Sequence, residues 1–201
     1  DEMKAVDLQD PIKAKVIVVA AGAVNSPALL LRSKIPAPLP VLGRYFTCHP
    51  ALILVGQHPK PITNYHGHPK SYYCDQFVAS KKFLLETCMY FPFVTAKNLA
   101  GFGADHSKLV SRMDTLQMIL VLAIDEARYG NHVTIDRKGN PLVDYRLDAD
   151  VLDSLYESMK TSARIFFQAG AERVHVPASK KFLIERSEQD RLDELIQRSE
   201  L

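Results

Sequence analysis

The sequence has no strong charge of either sign, no long apolar run and few cysteines. Its 25 basic and 23 acidic residues give a net charge of +2, which argues against a dedicated nucleic-acid-binding protein. No apolar run reaches the roughly 18 residues that a membrane-spanning helix needs, so we expect no membrane span. The three cysteines, Cys48, Cys74 and Cys88, contain no CxxC pair, which predicts buried free thiols.

Several catalytic signatures are also missing. The sequence has no GxSxG element and no P-loop, which argues against the common serine-hydrolase and phosphate-binding folds. Residues 101–106 are the nearest match to a GxGxxG fingerprint, but His106 replaces the third glycine and no buried strand precedes the segment. No targeting signal is visible, and the sequence leaves the compartment open. With 47% hydrophobic and 24% charged residues, the composition is that of a soluble globular chain.

A continuous apolar run, residues 16–21, is followed directly by a small-residue turn and a helix. The β-branched run predicts a strand covered on both faces, as in a parallel sheet. Gly22 permits a tight turn and close approach of a ligand. Asn25 or Ser26 is expected to cap a helix that has Pro27 in its first turn.

Beyond residue 50 the pattern changes to longer strand-like stretches and helices. A short strand over residues 3–8 is predicted ahead of the apolar run. The later predicted strands are residues 51–56, 72–79, 83–93, 115–124 and 173–176, with a hairpin over 132–135 and 142–145. Helices are predicted over 95–113 and 148–169, the second ending at Gly170, and a last helix follows a capping box at 187–190.

Three segments in order carry a family resemblance. Residues 16–33 (VIVVAAGAVNSPALLLRS) resemble the second signature of the glucose–methanol–choline (GMC) flavoprotein oxidoreductases. Residues 42–50 (LGRYFTCHP) and 139–147 (GNPLVDYRL) look like later family segments. The implied fold is a mixed α/β chain. Residues 1–50 would be a remnant of the FAD-binding parallel sheet, and residues 51–201 a substrate domain with an antiparallel sheet flanked by helices.

The resemblance also implies a cofactor and a chemistry. Ala20, Ala21, Gly22, Ser26 and His49 are the implied FAD contacts. A complete family enzyme passes hydride from the CH–OH group of an alcohol or lipid-like substrate to the flavin. The family's catalytic histidine segment is expected beyond residue 201, so no catalytic residue is assigned and the chain is expected to be an inactive fragment by itself. Its expected partners are a small-molecule alcohol and the remainder of the same polypeptide.

Two other functions remain open from the residues alone. The sheet and helices could form a non-catalytic module that binds an apolar ligand or a partner protein, or His66 and His68, with His58 nearby, could hold a metal ion. The segment is a polar Pro/Gly loop without a nearby cysteine or acidic cluster, which favours a solvated loop, and no metal ligand is assigned. The many aromatic and methionine side chains of the middle region fit either an apolar cavity under a sheet or a plain core.

Overall fold

The computed structural model describes residues 13–33, 35, 39–62, 66–89, 91–99, 101–177, 179 and 181–197. The strand predicted over residues 3–8 lies outside this part of the chain. The described helices are α1 (Gly22–Arg32), α2 (Val78–Lys81), α3 (Pro92–Lys97), α4 (Gly103–Val110), α5 (Ala149–Gln168) and α6 (Leu192–Leu195). The described strands are β1 (Ala51–Gln57), β2 (Tyr73–Cys74), β3 (Phe83–Cys88), β4 (Leu116–Ala123), β5 (His132–Ile135), β6 (Pro141–Asp144), β7 (Arg173–His175) and β8 (Leu183–Glu185).

The chain divides into two compact units, each described here by itself. The first consists of Asp1–Phe46, so far as these residues are described, and Arg128–Tyr145. The second consists of Thr47–Ala127 and Arg146–Leu201, with the same restriction. The hairpin of β5 and β6 therefore belongs with the amino-terminal segment, although the predicted boundary at residue 50 assigned it to the second domain. The functional labels of the two predicted domains stay predictions.

An antiparallel sheet forms the centre of the second unit. Its six strands follow the order β2-β3-β4-β1-β7-β8, and β1 and β4 pair along their whole length. Side chains alternate between the two faces of a strand. Successive residues of β1 therefore serve two different cores, one on each face of the sheet.

The long helix α5 covers one face of this sheet. Leu54 of β1 and Val121 of β4 are fully buried beneath Phe166 and Phe167 of the helix. At Gly56 the contact is so close that an added Cβ would lie 2.4 Å from Cδ1 of Phe166. Burying each such large apolar side chain contributes about 1.5–3 kcal/mol, so this layer is the main stabilising core of the unit.

The opposite face of the sheet carries a second apolar cluster. Val55, Leu116 and Met118 are fully buried there. Leu99 and the half-buried Leu109 of α4 pack against the same cluster. The centre of the sheet is thus covered on both faces, and the helices between β3 and β4 provide the second cover.

The helix α5 confirms the prediction made over residues 148–169. Its apolar stripe faces the sheet, and the helix ends in a Schellman arrangement at Gly170, which has φ +94°. The backbone N–H of Gly170 donates to the Phe167 carbonyl (3.1 Å), and that of Ala171 donates to the Phe166 carbonyl (2.9 Å). A glycine is needed at this position because side chains disfavour the left-handed conformation.

In the first unit, α1 packs against the hairpin of β5 and β6. The Arg32 guanidinium donates to the Gly139 carbonyl (2.8 Å). Gly43, with φ +77°, accepts a hydrogen bond from the Val133 N–H (2.8 Å), and an added Cβ there would lie 2.1 Å from the Val133 carbonyl oxygen. Only glycine permits this approach, so Gly43 fixes the connection that precedes the second unit.

The predicted strand over residues 16–21 is wrong. This segment is not part of any sheet, and Val16, Ile17 and Val18 are 76%, 78% and 82% exposed. A strand covered on both faces needs neighbours for its backbone groups and for its apolar side chains. The described residues supply no such neighbour, and all their strand pairings are antiparallel. The mixed α/β class is confirmed, but its parallel component is not formed here.

Three further predicted elements differ in extent. The strand over 72–79 is limited to β2 and gives way to α2, and the strand over 83–93 ends at Cys88. The helix over 95–113 is two helices, because Gly101 and Gly103 adopt positive φ between α3 and α4. The last capping interaction is also shifted: the Glu188 carboxylate accepts from the Glu185 N–H (3.1 Å) and opens a 3₁₀ turn. Among the described helices, none combines the length and the apolar character of a membrane span.

Candidate functional site

The first candidate site is the turn that enters α1. Gly22 has φ +81°, and an added Cβ would meet no atom within 4 Å. Ala20, Ala21 and Gly22 are all exposed. The backbone at this turn is therefore exposed, and the cofactor contact implied for these three residues stays a prediction.

The amino terminus of α1 lacks a side-chain cap. The helix begins at Gly22, so the predicted cap at Asn25 or Ser26 is wrong, and both residues lie inside the first two turns. Ser26 Oγ instead accepts a hydrogen bond from the Ala21 N–H (3.0 Å). No acidic side chain lies in the first turn. An uncapped helix start carries a partial positive charge, which suits an anionic group such as a dinucleotide phosphate.

His49 is exposed and lies in the irregular segment immediately before β1. The next residue, Pro50, is buried, and its carbonyl accepts a hydrogen bond from the Ala123 N–H (2.8 Å). This pairing fixes the backbone beside His49. The histidine belongs to the second unit, whereas the residues around Gly22 belong to the first. Its implied contact with a cofactor stays a prediction.

A second candidate site is an apolar cavity of about 460 Å³ within the second unit. Met89, Phe91 and Met113 supply apolar walls, and Asp114 and Ser111 supply polar groups. The remaining lining residues are His66, Gly67, His68, Pro69 and Pro92. Such a cavity, mostly apolar with a few polar groups, is typical of small-molecule sites. The aromatic and methionine residues of the middle region therefore form both a core and a cavity wall. Phe83 lies in the core, while Met89 and Phe91 line this cavity.

Of the histidines considered as metal ligands, His66 and His68 line the same cavity, whereas His58 does not. His58 is buried, and its Nε2 lies 3.2 Å from Oε1 of Gln117 on β4. His68 Nδ1 lies 2.8 Å from the Lys70 carbonyl oxygen, so that nitrogen is occupied within its own loop. Within the described ranges, no group of three or more histidine, cysteine or acidic side chains could hold a metal ion. The three cysteines are free, as predicted, although only Cys88 is buried.

The predictions from the sequence missed one residue of chemical interest, His175. His175 on β7 is 7% exposed, and neither of its ring nitrogens has a hydrogen-bond partner. Burial, followed by the nearby positive charge of Arg173, lowers the pKa of His175 to about 4. The alternation Arg173-Val174-His175 did contain the signal, because it places Arg173 and His175 on the same face of the strand.

The second unit thus contains a sheet with an apolar cavity, and the first contains an exposed small-residue turn into a helix; together they define a mixed α/β protein with two candidate sites. Comparison with known proteins names a family. The family model described as GMC oxidoreductase matches residues 2–51. That match includes the turn at Gly22 and the segment through His49.

Two curated proteins also match. They are uncharacterized GMC-type oxidoreductases of Mycobacterium tuberculosis, from strains CDC 1551 / Oshkosh and H37Rv. Each is 28% identical over 163 residues, which are 81% of this chain and 25% of the relative. The chain thus spans about a quarter of the length of these relatives. The comparisons thus find this chain similar to GMC oxidoreductases, and the predicted resemblance is confirmed at that level.

Proposed function

We propose that this chain contributes the cofactor-side turn and the substrate-side sheet of an FAD-dependent oxidoreductase. The substrate is an alcohol or a lipid-like molecule, and its CH–OH group is oxidised with hydride transfer to the flavin. The observation that carries the proposal is the family match over residues 2–51, which spans the open turn at Gly22. Because the chain covers 25% of its matched relatives, the activity belongs to the proposal for the whole protein.

The residues of the first unit fit a bound dinucleotide. Gly22 leaves open space where a side chain would project, and the start of α1 has backbone donors without a capping side chain. Ala20 and Ala21 add no bulk beside them. In this proposal the four residues Ala20, Ala21, Gly22 and Ser26 hold the anionic, adenosine-side part of FAD. The bound flavin would supply the hydride acceptor.

The second unit supplies the substrate side in this proposal. The cavity beside Met89 and Met113 has a mostly apolar wall, which suits an alkyl or lipid-like chain better than a sugar with many hydroxyl groups. Asp114 and Ser111 provide polar groups that can orient a hydroxyl. No proton-transfer step is assigned to the described residues. The proposed role of this chain is therefore to bind and to orient the cofactor and the substrate.

Flavin retention tests the cofactor half of the proposal. The purified chain is mixed with FAD, dialysed and examined for visible flavin absorption, and we expect a protein-bound band. Gly22→Leu should weaken FAD binding at least about tenfold, because its side chain would occupy the space of the ligand and strain the positive φ. Gly101→Leu is the matched control, since Gly101 also has positive φ and open space around it.

Two outcomes would contradict the proposed FAD binding. A colourless wild-type chain would mean that these residues do not hold FAD by themselves, and equal loss in both variants would mean that strain rather than ligand space causes the effect.

A non-catalytic binding module is the second candidate. The observation that favours it is the position of the apolar cavity, whose lining residues all belong to the second unit. Addition of a long-chain primary alcohol to the flavin-loaded whole protein under anaerobic conditions separates the two candidates. Bleaching of the flavin supports the oxidoreductase, while binding of the alcohol without bleaching supports the module.

A further inference from the structure

A second cavity of about 560 Å³ lies between α4 and the strands β1, β7 and β8, within the second unit. Its lining differs in character from that of the apolar cavity. Lys108, Arg112, Arg173 and His175 contribute to its wall, together with Gln57 and Asp105. Nothing in the proposed oxidoreductase function uses these side chains.

The fold brings these side chains together from two directions. Across β1 and β7, Val55 pairs with His175 and Gln57 pairs with Arg173, so these four residues share the face of the sheet opposite α5. Lys108 lies in the last turn of α4, and Arg112 lies in the turn just after the helix ends. Both residues line the cavity. The cavity is therefore bounded by a strand pair below and a basic helix end above.

The charged side chains that line this cavity are mostly positive. Lys108, Arg112 and Arg173 are cationic, and Asp105 is the acidic side chain among the lining residues. Glu185 engages only the Nε of Arg173 in an ion pair (3.0 Å), so the remaining guanidinium donors of Arg173 stay available. Within the described residues, neither Lys108 nor Arg112 forms an ion pair. The wall thus carries an excess of uncompensated positive charge.

The histidine provides an independent indication of a ligand. His175 is more than nine-tenths buried and lines this cavity, yet both ring nitrogens lack a partner. A buried polar group without a hydrogen bond destabilises the fold, and native structures rarely leave one unpaired. Because its pKa is lowered to about 4, the ring is neutral near pH 7 and offers one donor and one acceptor.

We propose that this cavity binds the oxyanion group, a carboxylate or a phosphate, of a small molecule. Arg112 and Lys108 supply the opposing charge, and the N–H of the His175 imidazole donates a hydrogen bond to the ligand. Arg173 is held in place by Glu185 and faces the same space. Charge-assisted hydrogen bonds are stronger than those between neutral groups, and the planar guanidinium fork can pair with two oxygens of a carboxylate or a phosphate.

Titration of the chain with inorganic phosphate and with acetate tests the proposal, with chloride at equal ionic strength as the reference. The readouts are the NMR shifts of the histidine rings and the thermal unfolding midpoint. We expect saturable shifts of the His175 ring, and a rise in midpoint beyond that with chloride, for at least one of the two anions. A response to phosphate alone identifies a phosphorylated ligand, and a response to acetate alone identifies a carboxylate.

Variants decide whether the cavity is responsible. Arg112→Gln and Lys108→Gln should each weaken anion binding about tenfold, since each removes a charge-assisted contact. His175→Gln should remove the shifted ring signal and weaken binding as well. Arg137→Gln, at an exposed position in the turn between β5 and β6, removes the same charge outside the cavity and should leave affinity unchanged. If Arg112→Gln does not fold, Lys108→Gln on the exposed surface of α4 gives the same comparison.

The proposal is overturned if neither anion exceeds chloride. It is overturned equally if Arg137→Gln weakens binding as much as Lys108→Gln does, because the effect would then be general charge screening rather than a site.

Discussion

At Gly56 the backbone of β1 approaches an aromatic ring so closely that no side chain fits between them. An added Cβ would lie 2.4 Å from Cδ1 and 2.8 Å from Cε1 of Phe166. Interiors are close-packed, so such a clash cannot relax without moving the ring or the helix. Gly56 therefore determines how near α5 lies to the sheet.

We expect Gly56→Ala to lower the free energy of unfolding by about 1–3 kcal/mol, the usual cost of overpacking a core. Gly130→Ala is the control, because Gly130 has ordinary φ and open space around its Cβ position, and it should change stability by less than about 0.5 kcal/mol. Chemical denaturation of both variants measures the difference. Equal stability of Gly56→Ala and wild type would refute the close approach of Phe166.

At the scale of elements, α5 is tied to the preceding part of the sheet by a polar contact as well as by its apolar stripe. Ser154 Oγ donates a hydrogen bond at 2.6 Å to the Lys81 carbonyl oxygen and lies 3.0 Å from that of Lys82. These carbonyls lie at the end of α2, where Lys82 adopts a left-handed conformation with φ +59°. The serine therefore anchors the turn that leads into β3.

Ser154→Ala should destabilise the chain by about 1–2 kcal/mol, because the buried hydroxyl and its hydrogen bond to the Lys81 carbonyl are lost. Ser107→Ala on α4 is a matched substitution within a helix at an exposed position, and it should be neutral or slightly stabilising through helix propensity. The midpoint of urea unfolding compares the two. A neutral Ser154→Ala variant would mean that the contact contributes nothing to stability.

Elements with their own periodic pattern could be predicted from the sequence, and elements that depend on distant partners could not. The stripe and terminal glycine of α5 predicted its extent within a residue at each end, and the hairpin turn predicted β5 and β6. The strand predicted over residues 16–21 was wrong, because the burial of a strand depends on the neighbours that cover it. The turn at Gly22 was anticipated from its small residues, whereas the buried imidazole of His175 required knowledge of which strand faces which helix.

At the scale of the whole molecule, three adjacent β-branched side chains stand in solvent. Val16, Ile17 and Val18 each expose more than three-quarters of their surface, in a segment that has no strand partner among the described residues. Extended apolar segments with unpaired backbone groups promote association.

We expect the isolated chain to associate as its concentration rises, and Val18→Lys to reduce this association. Phe102→Lys is the control, since Phe102 is 92% exposed but stands between two glycines rather than in an apolar run. Sedimentation velocity at several concentrations measures the effect. A wild-type chain that stays monomeric throughout would contradict the expectation, and an equal effect of both variants would assign the association to general apolar exposure.

The interleaved order of the two units has a consequence for synthesis. The chain leaves the first unit after Phe46 and returns to it only at Arg128, where the partner hairpin of α1 begins. A nascent chain emerges from the ribosome amino terminus first. While β1 to β4 are being synthesised, helix α1 therefore lacks the strands that it packs against. The first unit therefore begins to emerge first, yet its packing is completed only after most strands of the second unit's sheet have been synthesised. In this interval the face of α1 that packs against the hairpin is uncovered, and a chaperone would protect it most.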